Sequence, residues 1–169
     1  MTLKAELAHE LEITRQNFHH LLDSVPEALY AHPSDNPAWT IGDVFYHITL
    51  GPPAIRVEIW MMCHVNKLFQ LVMNDGTAKV FNWGNALFAR QGGRFSKRTL
   101  SNAYEKSHAR IIRALEHTNE NDFQKSIVYP ALFVPEIAGE VTVERLFRYV
   151  KLHFYIHAEQ INGILKDAR

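Results

Sequence analysis

The stretch Thr142–Leu165, TVERLFRYVKLHFYIHAEQINGIL, decides the fold class of this chain. Its apolar residues recur mostly at intervals of three and four, and nothing interrupts that pattern before Gly163. Such a period is typical of an amphipathic helix that lays one face on a core. Two more stretches, Leu3–Leu22 and Leu100–His117, have the same period. The sequence therefore predicts an all-α protein.

Another long helix is predicted to begin at Thr40. The stretch Thr40–Asp43, TIGD, has the pattern of a capping box, in which the first and last residues exchange hydrogen bonds. At Gly51–Pro53 two prolines remove backbone donors, so a kink or break is expected there. The following stretch, Ala54–Met73, has helical composition again. Charged and polar residues interrupt it throughout, which argues against a membrane span.

The connections between these helices are predicted from glycine and proline. Glycines alternate with aromatic residues over 76–98 without a clean period, so a partly packed connector is expected inside an extended insert around 74–98. Residues 123–141 are predicted to form a long return loop with a short extended piece at Ile127–Tyr129. A chain of 169 residues suits one sizeable core, so a single domain over 1–169 is expected.

Charge and cysteine content exclude several classes of protein. Lysine plus arginine equal aspartate plus glutamate at 18 each, so no overall field favours nucleic acid or an anionic membrane surface. The N-terminus lacks the apolar stretch of a signal peptide, so a cytoplasmic location is expected. Cys63 is the single cysteine, which excludes an intrachain disulfide and a cysteine-based zinc cluster. Any metal site must use histidine or carboxylate ligands.

The ten histidines are the unusual feature of the composition. His153 and His157 are four residues apart on the last predicted helix, so both side chains can reach one ion. Ten histidines would form roughly 0.6 such pairs by chance, so two partly buried or surface histidines are an open alternative. A third ligand has to come from another helix, and His47 of the second predicted helix is the natural candidate.

Two segments together resemble one known family. They are WTIGDVFYHI, residues 39–48, and HFYIHAEQI, residues 153–161. The DinB/YfiT-like family has a tryptophan and a small hydroxyl residue at the start of the second helix, a histidine about seven residues later, and a His-x-x-x-His motif near the end of the fourth helix. The resemblance implies a four-helix bundle with up-down-down-up connections. It also implies a divalent transition metal held by His47, His153 and His157, with water at the remaining positions.

Three neutral imidazoles suit zinc, nickel, copper or ferrous iron, and they leave coordination positions open. Zinc or nickel is the ion expected here. A metal with an open position can activate a bound water or thiol at neutral pH. The resemblance favours a thiol-dependent transferase or isomerase that uses a low-molecular-weight thiol and a small-molecule substrate. No catalytic residue is assigned.

Two other functions remain open. The chain could be a non-catalytic metal-binding or stress-response protein, in which the three histidines stabilise the bundle or sequester an ion. It could also be a ligand-binding or dimerisation module whose histidines are fortuitous. The stretch Trp60–Met62 bears on this point, because it could line a pocket or a homodimer face as well as form bundle core.

Four further positions have two interpretations each. Asp43 could orient the His47 ring, but capping of the helix is favoured. Glu159 and Gln160 could orient His157 or simply solvate the helix surface. His64 could be a fourth ligand, although a packed side chain is favoured.

A basic cluster lies near the end of the insert: Arg90, Arg94, Lys97 and Arg98. It could bind a carboxylate or phosphate of a cosubstrate. A solvated loop is the favoured interpretation, because runs of charge usually face water.

Overall fold

The computed structural model describes residues 1–36 and 38–167; residues 168 and 169 of the expected domain lie outside it. The described residues form an all-α fold with one small hairpin, which confirms the predicted fold class. In chain order the elements are α1 (Leu3–Ser24), α2 (Ile41–His64), α3 (Asn66–Val72), α4 (Asp75–Ala89), α5 (Lys97–His117), β1 (Ser126–Tyr129), β2 (Gly139–Thr142) and α6 (Val143–Asp167).

The bundle consists of the four long helices α1, α2, α5 and α6. Both α1 and α2 pack against α5 and against α6. Arg148 of α6 pairs with Glu6 of α1, and Asn17 of α1 donates to Tyr155 of α6, so α1 and α6 run in the same direction. Going along the chain, later residues of α1 therefore meet later residues of α6.

The other two bundle helices run the opposite way. Arg15 pairs with Glu105 at 2.8 Å, and Asp23, further along α1, pairs with Lys97 at the start of α5. In the same way α2 is antiparallel to α6, because Gly51 faces His153 while the earlier His47 faces His157. With α1 taken as up, α2 and α5 run down and α6 runs up.

The predicted capping box at the start of α2 is confirmed. The Thr40 hydroxyl accepts from the Asp43 N–H, and Asp43 Oδ2 accepts from the Thr40 N–H at 2.9 Å. Asp43 Oδ1 accepts a third bond, from the Gly93 N–H at 3.0 Å. A Cβ at Gly92 would lie only 2.1 Å from the Gly42 carbonyl oxygen, so the two backbones touch. The start of α2 is thus fixed to the turn that follows α4.

A kink or break was predicted at Gly51–Pro53, and the break is wrong, because α2 remains helical through both prolines. Pro53 has no N–H, so it cannot donate to the Thr49 carbonyl as a helical residue normally would. The Ser107 hydroxyl of α5 donates to that carbonyl at 2.7 Å. A side chain of a neighbouring helix therefore replaces the hydrogen bond that a proline removed.

The apolar stretch Ala54–Met73 is divided between two helices. α2 ends at His64, and Val65 has φ −135° and ψ 36°, outside the helical region. The short helix α3 then takes Asn66–Val72. None of the helices in residues 1–36 and 38–167 is both long and apolar enough to cross a bilayer.

Residues 75–89 form helix α4 where the sequence analysis expected a connector. The Asn74 side chain caps it by accepting from the Gly76 and Thr77 N–H groups. Val80 is 70% exposed and Trp83 is 69% exposed. The helix therefore lies on the outside of the bundle, with these two apolar side chains exposed.

The return loop contains a hairpin. Its first strand, β1, confirms the extended piece predicted at Ile127–Tyr129, whereas β2 was not predicted. Ile127 pairs with Val141, and both side chains are buried in the core. The residues between the strands, 130–138, are thereby held against the bundle.

The core consists of two buried clusters stacked along the bundle. One contains Leu7, Leu146 and Val150, and the other contains Phe18 and Phe154. Along α6 the boundary between them falls at residues 151–153. The predicted histidines of α6 therefore begin at the point where the two clusters meet.

Candidate metal centre

The structure brings His47, His153 and His157 together. Their candidate ligand atoms all lie within 4.8 Å of one another. The Nε2 atoms of His47 and His153 are 3.0 Å apart, and the three pairs of ring centroids are separated by 4.6 to 4.8 Å. His47 and His153 are buried and His157 is partly buried. Three imidazole nitrogens at this separation fit a single metal ion.

Trp39, the tryptophan just before α2, packs against two of the three histidines. Its ring lies 4.8 Å from the ring of His47 and 6.4 Å from the ring of His157. The side chain is itself buried at 9% exposure. Packed rings hold a histidine in one rotamer, which a metal site with fixed geometry requires.

Gly51 belongs to the candidate site but was not predicted from the sequence. It follows His47 by one helical turn, so it lies on the same face of α2. A Cβ at this position would lie 2.8 Å from His153 Nδ1 and 2.9 Å from Cε1. Only glycine leaves room for the His153 ring. A glycine four residues after a candidate ligand is the signal that could have found it.

Gln160 orients the third histidine. His157 Nδ1 donates to Gln160 Oε1 at 3.2 Å. Because Nδ1 carries the proton, the lone pair of the ring is on Nε2. Metal-bound histidines usually have such a partner for the nitrogen that does not bind the ion. The structure thus supports the orienting role considered for Gln160.

The histidines of α6 are held in the neutral form. Burial lowers the pKa of His153 well below its usual value of 6.5, and the nearby rings of His47 and His157 lower it further. Burial also lowers the pKa of His157, while the bond to Gln160 acts in the opposite direction. Neutral imidazoles keep the lone pairs that bind a metal.

A cavity of about 580 Å³ opens beside the three histidines. α2 and α6 form its floor, and residues 133–137 of the hairpin form one wall. Asn82 and Gly84 of α4 lie at its edge, and the Asn82 side chain donates to the Leu132 carbonyl at 2.8 Å. Helix α4 and the return loop therefore form part of the wall of the cavity next to the three histidines.

The chain matches the model of one known protein family. The model of the DinB superfamily matches residues 10–161, which include all three histidines. This chain belongs to the DinB superfamily. The resemblance expected from residues 39–48 and 153–161 is confirmed. A search of curated proteins finds no match.

Two solved structures share the DinB fold of this chain. One is a mycothiol-dependent maleylpyruvate isomerase, with a TM-score of 0.69 and 16% sequence identity. The other is a histidine-to-alanine variant of a mycothiol-dependent maleylpyruvate isomerase, with a TM-score of 0.68 and 14% identity. In both cases 95% of this chain is covered, but only 61% of the isomerase chain. The isomerases thus have a considerable part without a counterpart here.

The other candidate residues of this DinB protein lie outside the cavity. Both carboxylate oxygens of Asp43 accept cap or turn hydrogen bonds, which confirms the capping interpretation. His64 is exposed, and its Nδ1 lies 2.8 Å from the Trp60 carbonyl oxygen, away from the three histidines. Cys63 packs on the core, and burial raises the pKa of its thiol. None of these three side chains lines the cavity as far as the structure describes it.

The basic cluster and the Trp60–Met62 stretch also lie outside the cavity beside the three histidines. Of the four cluster residues, Lys97 pairs with Asp23 of α1, and none lines the described cavity. Trp60 is 53% exposed, whereas Met62 is fully buried, so the stretch is partly core and partly surface. The interpretation as plain bundle core is therefore wrong for Trp60.

Glu58 of this DinB protein is a second residue that the sequence analysis missed. It lines the cavity with the histidines, and its Oε2 accepts from the Tyr129 hydroxyl at 2.5 Å. Burial raises the pKa of Glu58 to about 7, and the bond from Tyr129 lowers it by less. The sequence signal of Glu58 was a carboxyl on the helix face that also carries His47 and Gly51.

This shift predicts a pH effect on stability. Between pH 4.5, the usual pKa of a glutamate, and pH 7, the folded protein keeps a proton on Glu58 that the unfolded chain has released. Stability should therefore fall as the pH rises through this window. Across this pH window the free energy of unfolding of Glu58→Gln should rise by about 1 to 2 kcal/mol relative to that of the wild type. This figure allows for solvent screening of a partly buried carboxyl. Tyr129 and Tyr149, the titratable groups facing Glu58, stay protonated because burial raises both of their pKa values.

Urea unfolding of both proteins at pH 5, 6, 7 and 8 measures this difference. Glu120→Gln, which removes an exposed carboxyl outside the cavity, is the matched control. A stability difference between Glu58→Gln and wild type that stays constant across the range would contradict the prediction.

Proposed function

We propose that this chain is a metal-dependent enzyme in which His47, His153 and His157 bind one divalent ion, zinc or nickel. The observation that carries the proposal is the convergence of three imidazoles beside a cavity of about 580 Å³. A purely structural metal site is normally closed by four protein ligands, whereas a catalytic site keeps an open position. Three ligands next to open space match the second type.

The reaction class proposed is transfer or isomerisation that depends on a low-molecular-weight thiol. The two isomerases with the same fold depend on mycothiol, according to their names. A bound zinc or nickel ion would lower the pKa of a coordinated thiol or water and so supply a nucleophile at neutral pH. Imidazole ligands suit both ions.

The residues of the chain have defined tasks in this proposal. Gln160 keeps the His157 proton on Nδ1, and Trp39 holds the rings of His47 and His157 in place. The cavity wall is mainly apolar, so a bound substrate loses water on entry and the charges inside interact more strongly. The apolar side chains of this wall include Leu50, Ile55, Phe133, Val134 and Ile156.

The experiment begins with tag-free protein, because a histidine tag binds the same ions. Elemental analysis is expected to show about one zinc or nickel per chain. The protein is then loaded with Co²⁺, and a thiol is titrated while the thiolate-to-cobalt absorption band is followed. Growth of this band to saturation supports the proposal. Failure to bind any divalent metal would overturn it.

A non-catalytic metal-binding role remains the second candidate, and the same titration separates it. In that case the metal is bound in stoichiometric amount and raises the melting temperature, but no thiol changes the cobalt spectrum or shifts the melting temperature further. The homodimeric state, the cytoplasmic location and the single domain over residues 1–169 stay predictions from the sequence.

A further inference from the structure

Glu58 lies at the opposite end of the cavity from the three histidines. It follows His47 by eleven residues on α2, which is about three helical turns or about 16 Å along the axis. Both residues nevertheless line the same cavity. A ligand bound to a metal ion at the three histidines can therefore extend towards the Glu58 carboxyl at the other end of the cavity.

The bond to Tyr129 holds the Glu58 carboxyl in place. The Tyr129 side chain is 2% exposed and belongs to β1, so the hydroxyl is fixed by the hairpin. It donates to Oε2 of Glu58 only. A carboxylate has about four lone-pair sites, so acceptor positions remain for a ligand.

The charged groups of the cavity wall are all acidic. Glu58 and Glu136 are the carboxyl groups that line it, and no lysine or arginine lines it among the described residues. Any positive charge near Glu58 must therefore come from the ligand.

This distribution discriminates between ligands by charge. Above pH 7, where the Glu58 carboxyl is ionised, a carboxylate or phosphate placed beside it would meet a like charge in surroundings that screen poorly. An ammonium group would instead form a charge-assisted hydrogen bond with a carboxyl that is already fixed. Burial raises the pKa of Glu58 by disfavouring its charged form, and an ammonium group beside the carboxyl would favour that form.

We propose that the cavity selects a substrate or thiol cosubstrate with an ammonium group at the end remote from its metal-binding group, and that Glu58 is the specificity-determining residue. This inference rests on the proposed function, because it takes the histidines as the metal end of the site. Glu136, which is exposed at the cavity edge, adds to the same preference.

Matched thiols test the proposal with the cobalt-loaded protein at pH 8, where the Glu58 carboxyl is ionised. The probes are ω-aminoalkanethiols and ω-mercaptoalkanoates of equal length, from six to ten carbons, so that each pair differs only in the terminal charge. The thiolate-to-cobalt band reports binding of each probe. The amino probe of the best length is expected to bind at least about tenfold tighter than its carboxylate partner.

Three variants separate recognition from structural support. Glu58→Gln keeps an acceptor for Tyr129 but removes the charge, so the preference for the amino probe should fall below about threefold. Tyr129→Phe removes the hydroxyl and keeps the carboxyl, so the preference should persist. Glu120→Gln, a change of the same charge outside the cavity, should leave the preference unaltered.

The outcomes distinguish this inference from the proposed function. Equal binding of both probe types by the wild type, or tighter binding of the mercaptoalkanoate, would overturn the inference while leaving thiol binding at the metal intact. A preference that survives in Glu58→Gln would overturn the role of Glu58. If cobalt is bound but neither probe produces the band, the thiol-dependent function itself fails, and the inference fails with it.

Discussion

Replacing His153 with alanine is expected to abolish stoichiometric metal binding while the bundle stays folded. His153 is buried and its Nε2 lies 3.0 Å from Nε2 of His47, at the centre of the proposed site. Loss of a partner that merely orients a ligand costs metal affinity about 10- to 100-fold, so loss of a ligand should cost at least about 100-fold. The helix itself should tolerate the change, because alanine is the best helix former.

The measurement combines metal content of the tag-free protein with far-ultraviolet circular dichroism. His157→Ala is expected to behave like His153→Ala. His64→Ala is the matched control, since His64 is exposed and bonded to the Trp60 carbonyl outside the cavity. Full retention of stoichiometric metal in both His153→Ala and His157→Ala would refute the assignment of these ligands.

Replacing Gly51 with alanine is expected to weaken metal binding without touching a ligand. The added methyl group would lie 2.8 Å from His153 Nδ1, so the ring has to move away from its present position. A displaced ligand should cost about 10- to 100-fold in metal affinity. Alanine favours a helix over glycine by up to about 1 kcal/mol, and crowding costs about 1 to 3 kcal/mol, so the stability of the metal-free protein should change by about 2 kcal/mol or less.

Gly84→Ala provides the control for this experiment. Gly84 also lines the cavity, but a Cβ there meets nothing within 4 Å. Competition with a metal-binding dye measures the affinity of each protein, and urea unfolding measures its stability. If Gly51→Ala binds metal as tightly as the wild type, Gly51 does not determine where His153 lies.

The helix boundaries were predictable because they depend on local features. The helix expected at Leu3–Leu22 is Leu3–Ser24, and the one expected at Leu100–His117 is Lys97–His117. Apolar periodicity reports which face of a helix is buried, whatever it packs against. The capping box between Thr40 and Asp43 likewise needs residues only three apart.

The errors arose where one element compensates for another. The two prolines of α2 obey a local rule that predicts a break, but Ser107 of α5, 58 residues away from Thr49, donates the bond that keeps α2 continuous. Helix α4 was missed because Gly76 and Gly84 lower the helix propensity of this stretch. Strand β2 was missed because a single strand is defined by its partner, β1.

The candidate metal site also combines features set by local sequence with features set by contacts between distant elements. The placement of His153 and His157 on one face of α6 follows from their spacing alone. His47 was the candidate third ligand from its place on the second helix, and the family resemblance implied the same residue. The 3.0 Å approach of His47 to His153 spans 106 residues of sequence, so it depends on how α2 packs against α6. The space that Gly51 leaves for His153 depends on the same packing.

By itself, the sequence determined the helical fold class, the start of α2 and the pairing of His153 with His157. Each of these depends on interactions within about one helical turn, which a linear pattern records. Only the tertiary structure decided the convergence of three imidazoles, the cavity beside them and the burial of Glu58 against Tyr129. These features depend on contacts between distant elements, and no local pattern encodes which buried surfaces will meet.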